Sequence, residues 1–445
     1  MDDLLLEQLL IYGAVFIICA LIIGGYLFKK SKSSKVVAQK VSKAKEEGLF
    51  EPVSLHPYIN PDICIGSGAC VRACPEKDIL GIVNDKATVI NASNCVGHGA
   101  CFHACPVEAI SLRIGTETRG VDLPHVNQNF ETNMPGIFIA GELGGMGLIK
   151  NSVEQGQQAM DSIAKSKSKA TKTEYDVAIV GAGPAGISAS LAAKKHGLKA
   201  ITLEQDSLGG TVYTFPRAKV VMTSPMELPL HGKVKLFNTS KDELLTIWNE
   251  VIDKHDLDIV EQTKVEDIVP QPDQSFKIIT NQNTEYVAKN VLLAIGRRGT
   301  PRKLDVPGEV SEKVAYRLLD SETIENKQVL VVGGGDSAIE SALLLKDRNN
   351  VTLSYRKDKF SRLKPANKDN VLQAKREGSL SIIYESNVVE INKNNVLLKL
   401  SDGSTTALEN DLVYIFAGGE LPTKFLERAG IEITKRFGYI VKKYK

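Results

Sequence analysis

Asp176-Val-Ala-Ile-Val180-Gly181-Ala182-Gly183-Pro184-Ala185-Gly186 sets the fold class of this 445-residue chain. Val177 to Val180 run without a polar interruption, the pattern of a strand buried on both faces. Glycines follow at G-x-G-x-x-G spacing, and an Ala-rich segment then reads as helix to about Lys195. Glycine permits the tight turn and the close approach of a pyrophosphate, and the helix amino end favours its charge. Ala200 to Leu203 is the next strand. Glu204 ends it, 21 residues after Gly183, where an acid suits a ribose diol. The glycines alone would be weak evidence. Strand, glycines, helix and acid in register mark a dinucleotide-binding unit, and hence an α/β fold.

A second unit repeats the pattern: Gln328-Val-Leu-Val-Val332, then Gly333-Gly334-Gly335-Asp336-Ser337, then a helix. Its second strand, Val351 to Tyr355, ends in Arg356-Lys357 rather than in an acid. Cations at this position accommodate a 2′-phosphate, with Arg362 in support, which favours NADPH over NADH. The alternative is an NADH site with ordinary surface charges.

Together with Val291-Leu-Leu-Ala294-Ile-Gly296 and Val413-Tyr-Ile-Phe-Ala-Gly418, the two units resemble the FAD- and NAD(P)-dependent flavoprotein reductases close to thioredoxin reductase, over about residues 116–445. The resemblance implies FAD on the first unit and NAD(P)H on the second. It places Gly209, Gly210 and Thr211 against the flavin, Val265 where backbone meets adenine, and Ala294 and Gly296 beside the cofactor. Thioredoxin reductase carries Cys-x-x-Cys ahead of its second glycine loop. Val314 to Glu322 contains no Cys, so no dithiol relay runs through this domain. Relatives without the dithiol are ferredoxin–NADP reductases and bacillithiol disulfide reductases, and Tyr213-Thr-Phe-Pro-Arg through Thr223-Ser-Pro-Met-Glu-Leu looks more like the latter.

The order of the segments also departs from the family. Its last FAD motif should follow the second unit, yet it stands early, as Thr132-Asn-Met-Pro-Gly-Ile-Phe-Ile-Ala-Gly141-Glu142, with a helix near Ser152 to Ile163 after it. This reads as a circular permutation closed by a polar linker from Lys165 to Glu174. Glu142 stands where the family has Asp.

Six of the seven Cys lie between Cys64 and Cys105, in two runs of the form C-x5-C-x3-C-P. Cys64, Cys70 and Cys74 repeat as Cys95, Cys101 and Cys105 at a constant offset of 31. Such clustering argues for metal or cluster ligation in a reducing compartment rather than for a disulfide framework. The runs resemble the two-cluster bacterial ferredoxins, C-x2-C-x2-C-x3-C-P, with the second ligand replaced by Ser67 in one run and His98 in the other. In that family the Cys before Pro serves the other cluster. The resemblance therefore implies one site of Cys64, Cys70 and Cys105 with Ser67 nearby, and one of Cys95, Cys101 and Cys74 with His98 nearby. Three thiolates suit a [3Fe–4S] cluster, or a [4Fe–4S] cluster with a non-thiolate fourth ligand. Imidazole makes a site less negative and raises its potential. A Cys3His zinc site and a domain without clusters remain as alternatives. His103 reads as a surface or supporting residue.

Leu9 to Phe28 carries no formal charge. Its 20 residues at ~1.5 Å each match a hydrocarbon core of ~30 Å. Acidic residues precede it and Lys29, Lys30, Lys32 and Lys35 follow, which favours a retained single-pass anchor over a cleaved signal peptide. By the positive-inside rule everything beyond the span is cytoplasmic, on a prokaryotic inner membrane. Lys40, Lys43 and Lys45 extend the basic run, as a lipid-facing stretch or as a solvated linker. The net charge is +2, so nothing in the composition points to nucleic acid.

The expected organisation is an anchor (1–30), a basic linker (31–55), a small α+β ferredoxin-like domain (56–114), the permuted part of the FAD domain (115–165), the FAD-binding Rossmann-like core (174–298), the NAD(P)-binding Rossmann-like domain (299–416) and a return to the FAD domain (417–445). The expected activity is transfer of electrons between NAD(P)H, FAD and two iron–sulfur clusters, with a ferredoxin, a quinone or another acceptor as partner and a homodimer as a possible assembly. No catalytic side chain is required, because hydride passes directly between stacked rings. The competing readings are a flavin-only disulfide or quinone reductase with structural clusters, and a membrane redox sensor.

Overall fold

The computed structural model describes residues 2–46, 49–52, 54–76, 78–95, 97–144, 147–166, 173–215, 221–223, 225–236, 238–297, 300–360 and 363–442. Arg362, expected to support the nucleotide phosphate, lies outside them. The chain forms two compact units, residues 1–120 with 437–445, and residues 121–436.

In the first unit a single helix runs Asp2–Glu46. The stretch expected as a basic linker is thus helical up to Glu46, and it is not solvated throughout. Lys30 pairs with Asp85 at 2.5 Å and Lys40 with Asp78 at 2.6 Å. Between them Ser34 accepts the Asn84 N–H at 3.0 Å. Val37 packs so closely on Gly81 that a Cβ there would meet it at 2.5 Å, and Ala44 is buried. The helix therefore docks along the hairpin Leu80–Val83 and Lys86–Val89. Its apolar portion is bare: Leu9, Phe16 and Phe28 are 66%, 75% and 74% exposed. Glu7–Glu46 is long and apolar enough to cross a membrane, with mean hydropathy 2.4 over its most apolar 18 residues.

Leu55–Ile59 pairs antiparallel with Ile110–Ile114, closing the repeat. Tyr439–Lys442 adds a third strand on the other side of Ile110–Ile114. The final segment, expected to return wholly to the FAD domain, is therefore divided. Ile433–Arg436 pairs with Val121–Pro124 in the second unit, and the strand after it joins the first.

The second unit holds two large sheets beside several small ones. In the first, Ile259–Val260, Ala200–Leu203, Tyr175–Val180 and Glu285–Leu293 lie parallel in that order. An antiparallel meander through Phe276–Thr280 and Val265–Pro270 follows. Val291 to Leu293 takes a second parallel neighbour, Ile137–Ile139. The early segment thus supplies a strand to the sheet of the first glycine loop. Its helix Ile149–Lys165 then packs on Pro184–Lys195, where Ser188 Oγ donates to the Val153 carbonyl at 2.7 Å. The other sheet has five parallel strands, ordered Val314–Ala315, Leu412–Ile415, Gln328–Val332, Asn350–Tyr355, Ser381–Tyr384. Apolar cores fill the space between each sheet and its helices.

Candidate redox centres

The two cysteine runs fold alike. Gly66 and Gly68 in one, Gly97 and Gly99 in the other, all take φ between 68° and 77°. Only glycine adopts this conformation readily, and at Gly66 a Cβ would lie 2.1 Å from the Asp85 carbonyl oxygen. Each loop ends in a short helix, Ala69–Ala73 or Ala100–His103, carrying the middle Cys inward.

The thiols associate crosswise between the runs. Cys70 feels the charge of Cys64 and Cys105. Cys95 feels that of Cys74, and Cys101 that of Cys95, then Cys74 and, least, Cys70 of the other set. Cys64, Ser67, Cys70 and Cys105 line one small cavity open to solvent, together with Ile59 and Ile65. Backbone N–H groups point at the sulfurs: Gly66 and Ala87 donate to Cys64 at 3.4 and 3.3 Å, and Ala109 donates to Cys105 at 3.3 Å. Such donors stabilise the negative charge of a thiolate-bound cluster. Burial pushes the Cys70 and Cys74 thiols up, Cys95 to about 11 and Cys101 to about 12. These thiols lose their protons when a metal takes their place.

His98 sits in the second set. Both ring nitrogens are buried with no hydrogen-bond partner among the described residues, and burial lowers its pKa, keeping the ring neutral. The imidazole, three residues after Cys95, thus keeps two buried polar atoms unpaired, which is costly unless something not among the described residues pairs them. His103, by contrast, is exposed and edge-on to Phe102. Among the described residues no three His, Cys, Asp or Glu side chains converge on a single-ion position. A lone zinc needs four donors within ~2.3 Å of one point. A cluster binds each thiolate to a different iron and spaces them more widely.

At the first dinucleotide loop, Gly181 has φ +102°, and a Cβ there would sit 2.7 Å from the Ala294 carbonyl oxygen. Gly186 packs on the Gly181 carbonyl oxygen, 1.8 Å from where its Cβ would lie. Gly183 begins the helix Pro184–Lys195 with no side-chain cap, and a Cβ on it would meet nothing within 4 Å. Uncapped N–H groups facing open space are what a pyrophosphate requires. Glu204 is buried and accepts the Ala182 N–H at 2.7 Å and the Asp206 N–H at 3.0 Å, one on each oxygen. Burial raises its pKa while those two bonds oppose the shift.

Gly209 donates to the Ala182 carbonyl at 3.0 Å, and a Cβ on Gly210 would approach Gly183 to 3.3 Å. Thr211 follows them, exposed. Gly141, with φ +85°, donates to Gln155 Oε1 at 2.8 Å and abuts Ala185. Gly181, Gly183, Ala185, Gly186, Glu204, Gly209, Gly210, Ala294 and Gly141 thus form one connected cradle. Val265 heads its strand two residues beyond Thr263, whose N–H bonds to the Glu204 carbonyl at 2.8 Å. Gly296, with φ +65°, lies two residues past Ala294. Glu142 opens a 3₁₀ turn, Glu142–Gly144. Two residues of this region went unread in the sequence. Gln155 fixes Gly141, and Arg297 is half-buried, its pKa lowered by burial against the opposing charges of Glu142 and Asp122. Its position directly after Ala294-Ile-Gly296 was the available signal.

At the second loop, Gly333 has φ +142°, and Gly334 is flush against the Tyr355 ring, with a Cβ at 2.1 Å. Gly335 starts the helix Asp336–Leu345 uncapped and open. Asp336 does not point into that opening: it accepts Lys364 N–H at 3.0 Å and Asn367 Nδ2 at 2.8 Å, tying down the following helix. Ser337, Arg356 and Lys357 are exposed, the cations at the end of Asn350–Tyr355.

Residues 178–443 match the pyridine nucleotide-disulphide oxidoreductase family, and residues 56–106 match the 4Fe-4S dicluster domain. The chain is 26% identical to the bacilliredoxin reductase Bdr of Bacillus subtilis over 58% of its own length and 82% of that protein's. It is 29% identical to a ferredoxin–NADP reductase of Ignicoccus hospitalis over 56% and 78%. Among solved structures, the bacillithiol disulfide reductase Bdr of Bacillus cereus shares the fold at TM-score 0.52 and 24% identity, covering 60% of this chain and 85% of that one. The glycine cradles, the two large sheets with their parallel strands and the paired cysteine runs agree with these matches: the chain belongs to the pyridine nucleotide-disulphide oxidoreductases and carries a 4Fe-4S dicluster domain ahead of its flavoprotein module.

Proposed function

We propose that the chain is a single-pass protein of a prokaryotic cytoplasmic membrane that carries electrons between NAD(P)H, FAD and two iron–sulfur clusters, [4Fe–4S] or [3Fe–4S], and onward to a redox partner. The observation that carries this reading is the crosswise gathering of six thiols, with N–H donors aimed at them, in a chain whose flavoprotein module lacks the family's dithiol. FAD and the clusters supply the electron chemistry when bound. The chain's own residues would orient and exclude: Gly183 and Gly335 leave helix N–H groups open to phosphate, and Glu204 would accept from the ribose hydroxyls. The proposed circular permutation, with residues 115–165 completing the FAD domain from its amino-terminal side, rests on the strand Ile137–Ile139 beside Val291 to Leu293.

The test is an anaerobic titration of full-length protein with NADPH. Bleaching of cluster absorbance and growth of a reduced-cluster EPR signal are expected. If the flavin is reduced while the clusters stay oxidised, the reading fails. The likeness to bacilliredoxin reductase favours a second reading, disulfide reduction at the flavin with structural clusters. That is the outcome in which a disulfide substrate turns over with the clusters untouched.

The cation pair sets a further expectation. Replacing both Arg356 and Lys357 by Ala removes charge-assisted bonds worth about 1.5–3 kcal/mol to a 2′-phosphate. KM for NADPH should therefore rise roughly 10- to 150-fold while KM for NADH stays within twofold, by steady-state kinetics with each nucleotide.

A further inference from the structure

We infer that the site of Cys64, Cys70 and Cys105 is the point at which electrons leave for a lipid-soluble carrier of the quinone class at the membrane surface. The inference rests on the anchored electron-transfer reading above and names its acceptor.

The first observation is that no joint separates the apolar helix from the cysteine domain. Helix Asp2–Glu46 is continuous, and after its apolar portion it is bonded to the hairpin turn at Lys30 and Ser34 and buried again at Ala44. Heights above the hydrocarbon follow from the rise of ~1.5 Å per residue. Counted from Phe28, Lys30 lies ~3 Å, Ser34 ~9 Å and Ala44 ~24 Å along the axis. The headgroup layer on one side is about 5–8 Å thick. Asp85, held by Lys30, therefore lies within the headgroups, and Asn84, held by Ser34, at their outer edge.

The second observation is which cysteine loop meets which end of the helix. Gly66 lies against the Asp85 carbonyl, Lys86 Nζ donates to the Cys64 carbonyl at 2.7 Å, and the Ala87 N–H donates to Cys64 Sγ. The first site is thus built on the headgroup-level turn. The loop into Cys95 belongs to the far end, where Ser93 N–H bonds to the Leu49 carbonyl and Leu49 N–H to the Ala44 carbonyl. The two sites are stacked along the helix, with the first toward the bilayer.

The third observation is the rim of the first site. Ile63 and Ile65 flank the buried Cys64 and are 47% and 64% exposed, and Ile65 lines the cavity of the three thiols. From Pro61 to Ser67 the only formal charge is Asp62. Of the cations near it, Lys86 is bonded to the Cys64 carbonyl and Arg72 lies beside Gly68, so the loop itself does not offer the cationic face an acidic soluble carrier would seek. Bare isoleucines at headgroup level suit contact with lipid and with a carrier dissolved in it.

The overall reaction balances as NADPH + H⁺ + quinone → NADP⁺ + quinol. The nicotinamide C4–H bond breaks, two electrons pass one at a time through the first site, and two quinone O–H bonds form with protons from the cytoplasmic water.

The test uses the full chain in phospholipid vesicles containing a naphthoquinone with a four-isoprenoid tail. Beside it stands a variant with seven helix-forming residues inserted between Lys29 and Lys30, about two turns, which lifts the domain by ~10 Å without disturbing the Lys30–Asp85 pair. NADPH-driven quinol formation is expected in the parent and a fall of at least tenfold in the variant, with ferricyanide reduction unchanged within twofold. A nickel-chelating lipid should shorten the spin relaxation of the cluster whose signal Cys70→Ser abolishes more than that of the other cluster. Clusters reduced by NADPH with the quinone untouched, quinol formation indifferent to the insertion, or stronger relaxation of the other cluster would each overturn the inference and leave the electron-transfer reading standing. Clusters that NADPH fails to reduce would instead sink that underlying reading.

Discussion

Gly156→Val is expected to yield protein with little or no bound flavin, although Gly156 lies 25 residues before the first glycine of the dinucleotide loop. A Cβ on Gly156 would stand 2.1 Å from the Ala185 carbonyl oxygen, a backbone atom in the first turn of the helix that faces the pyrophosphate. Valine there must push Ile149–Lys165 away from Pro184–Lys195, and Gln155, one residue earlier, then loses its hold on the Gly141 N–H. Overpacking of this kind costs about 1–3 kcal/mol. If that strain falls on the loop, FAD binding weakens by roughly 5- to 150-fold. The flavin-to-protein ratio on purification and a fluorescence titration of apoprotein with FAD measure it. Gly183→Ala is the control: its φ is −77° and its Cβ would touch nothing within 4 Å, so the apoprotein should keep its Tm and lose affinity only through the blocked phosphate position. Equal flavin content in Gly156→Val and the parent would show that the early segment does not buttress the loop.

That contrast shows where the sequence was readable. Gly181, Gly183, Gly186 and Glu204 announce themselves because local chemistry fixes their spacing: a turn, a helix start and a strand end, all within 24 residues. The role of Gly156 depends on a helix crossing that no local spacing encodes. The same division runs through the first unit. The 31-residue repeat is legible by itself, the crosswise thiol sets are what its resemblance to the two-cluster ferredoxins implies, and Gly66 and Gly97 carry the same backbone signature in both copies. Lys30 reads only as a charge flanking the span and Lys40 as lipid-facing or solvated, because their partners, Asp85 and Asp78, are 55 and 38 residues away. Nor does anything in the apolar alternation of Tyr439-Ile-Val441 say which edge it will join. Ile110–Ile114 had a free side, and the chain took it.

His98→Cys is expected to lower the potential of the second cluster on the order of 100 mV, since exchanging imidazole for thiolate adds negative charge at the metal, the reverse of the substitution that raises Rieske centres above plant-type ones. The expectation rests on two buried ring nitrogens without partners among the described residues, in the run that carries Cys95 and Cys101. A histidine kept only for packing would be replaced by cysteine with the potential unmoved. An EPR-monitored redox titration of full-length protein separates the two cases, with iron and sulfide counted to confirm that both clusters are still present. His98→Ala gives an independent check, because three thiolates without the imidazole favour a [3Fe–4S] centre, with its own EPR signal in the oxidised state. Ser67→Cys at the first site adds a thiolate where no imidazole stood, so it should move only the signal that Cys70→Ser abolishes. An unshifted potential in His98→Cys with full cluster content would leave the second site with an open or exogenous fourth ligand, and the asymmetry between the two sites would then rest on Ser67 alone.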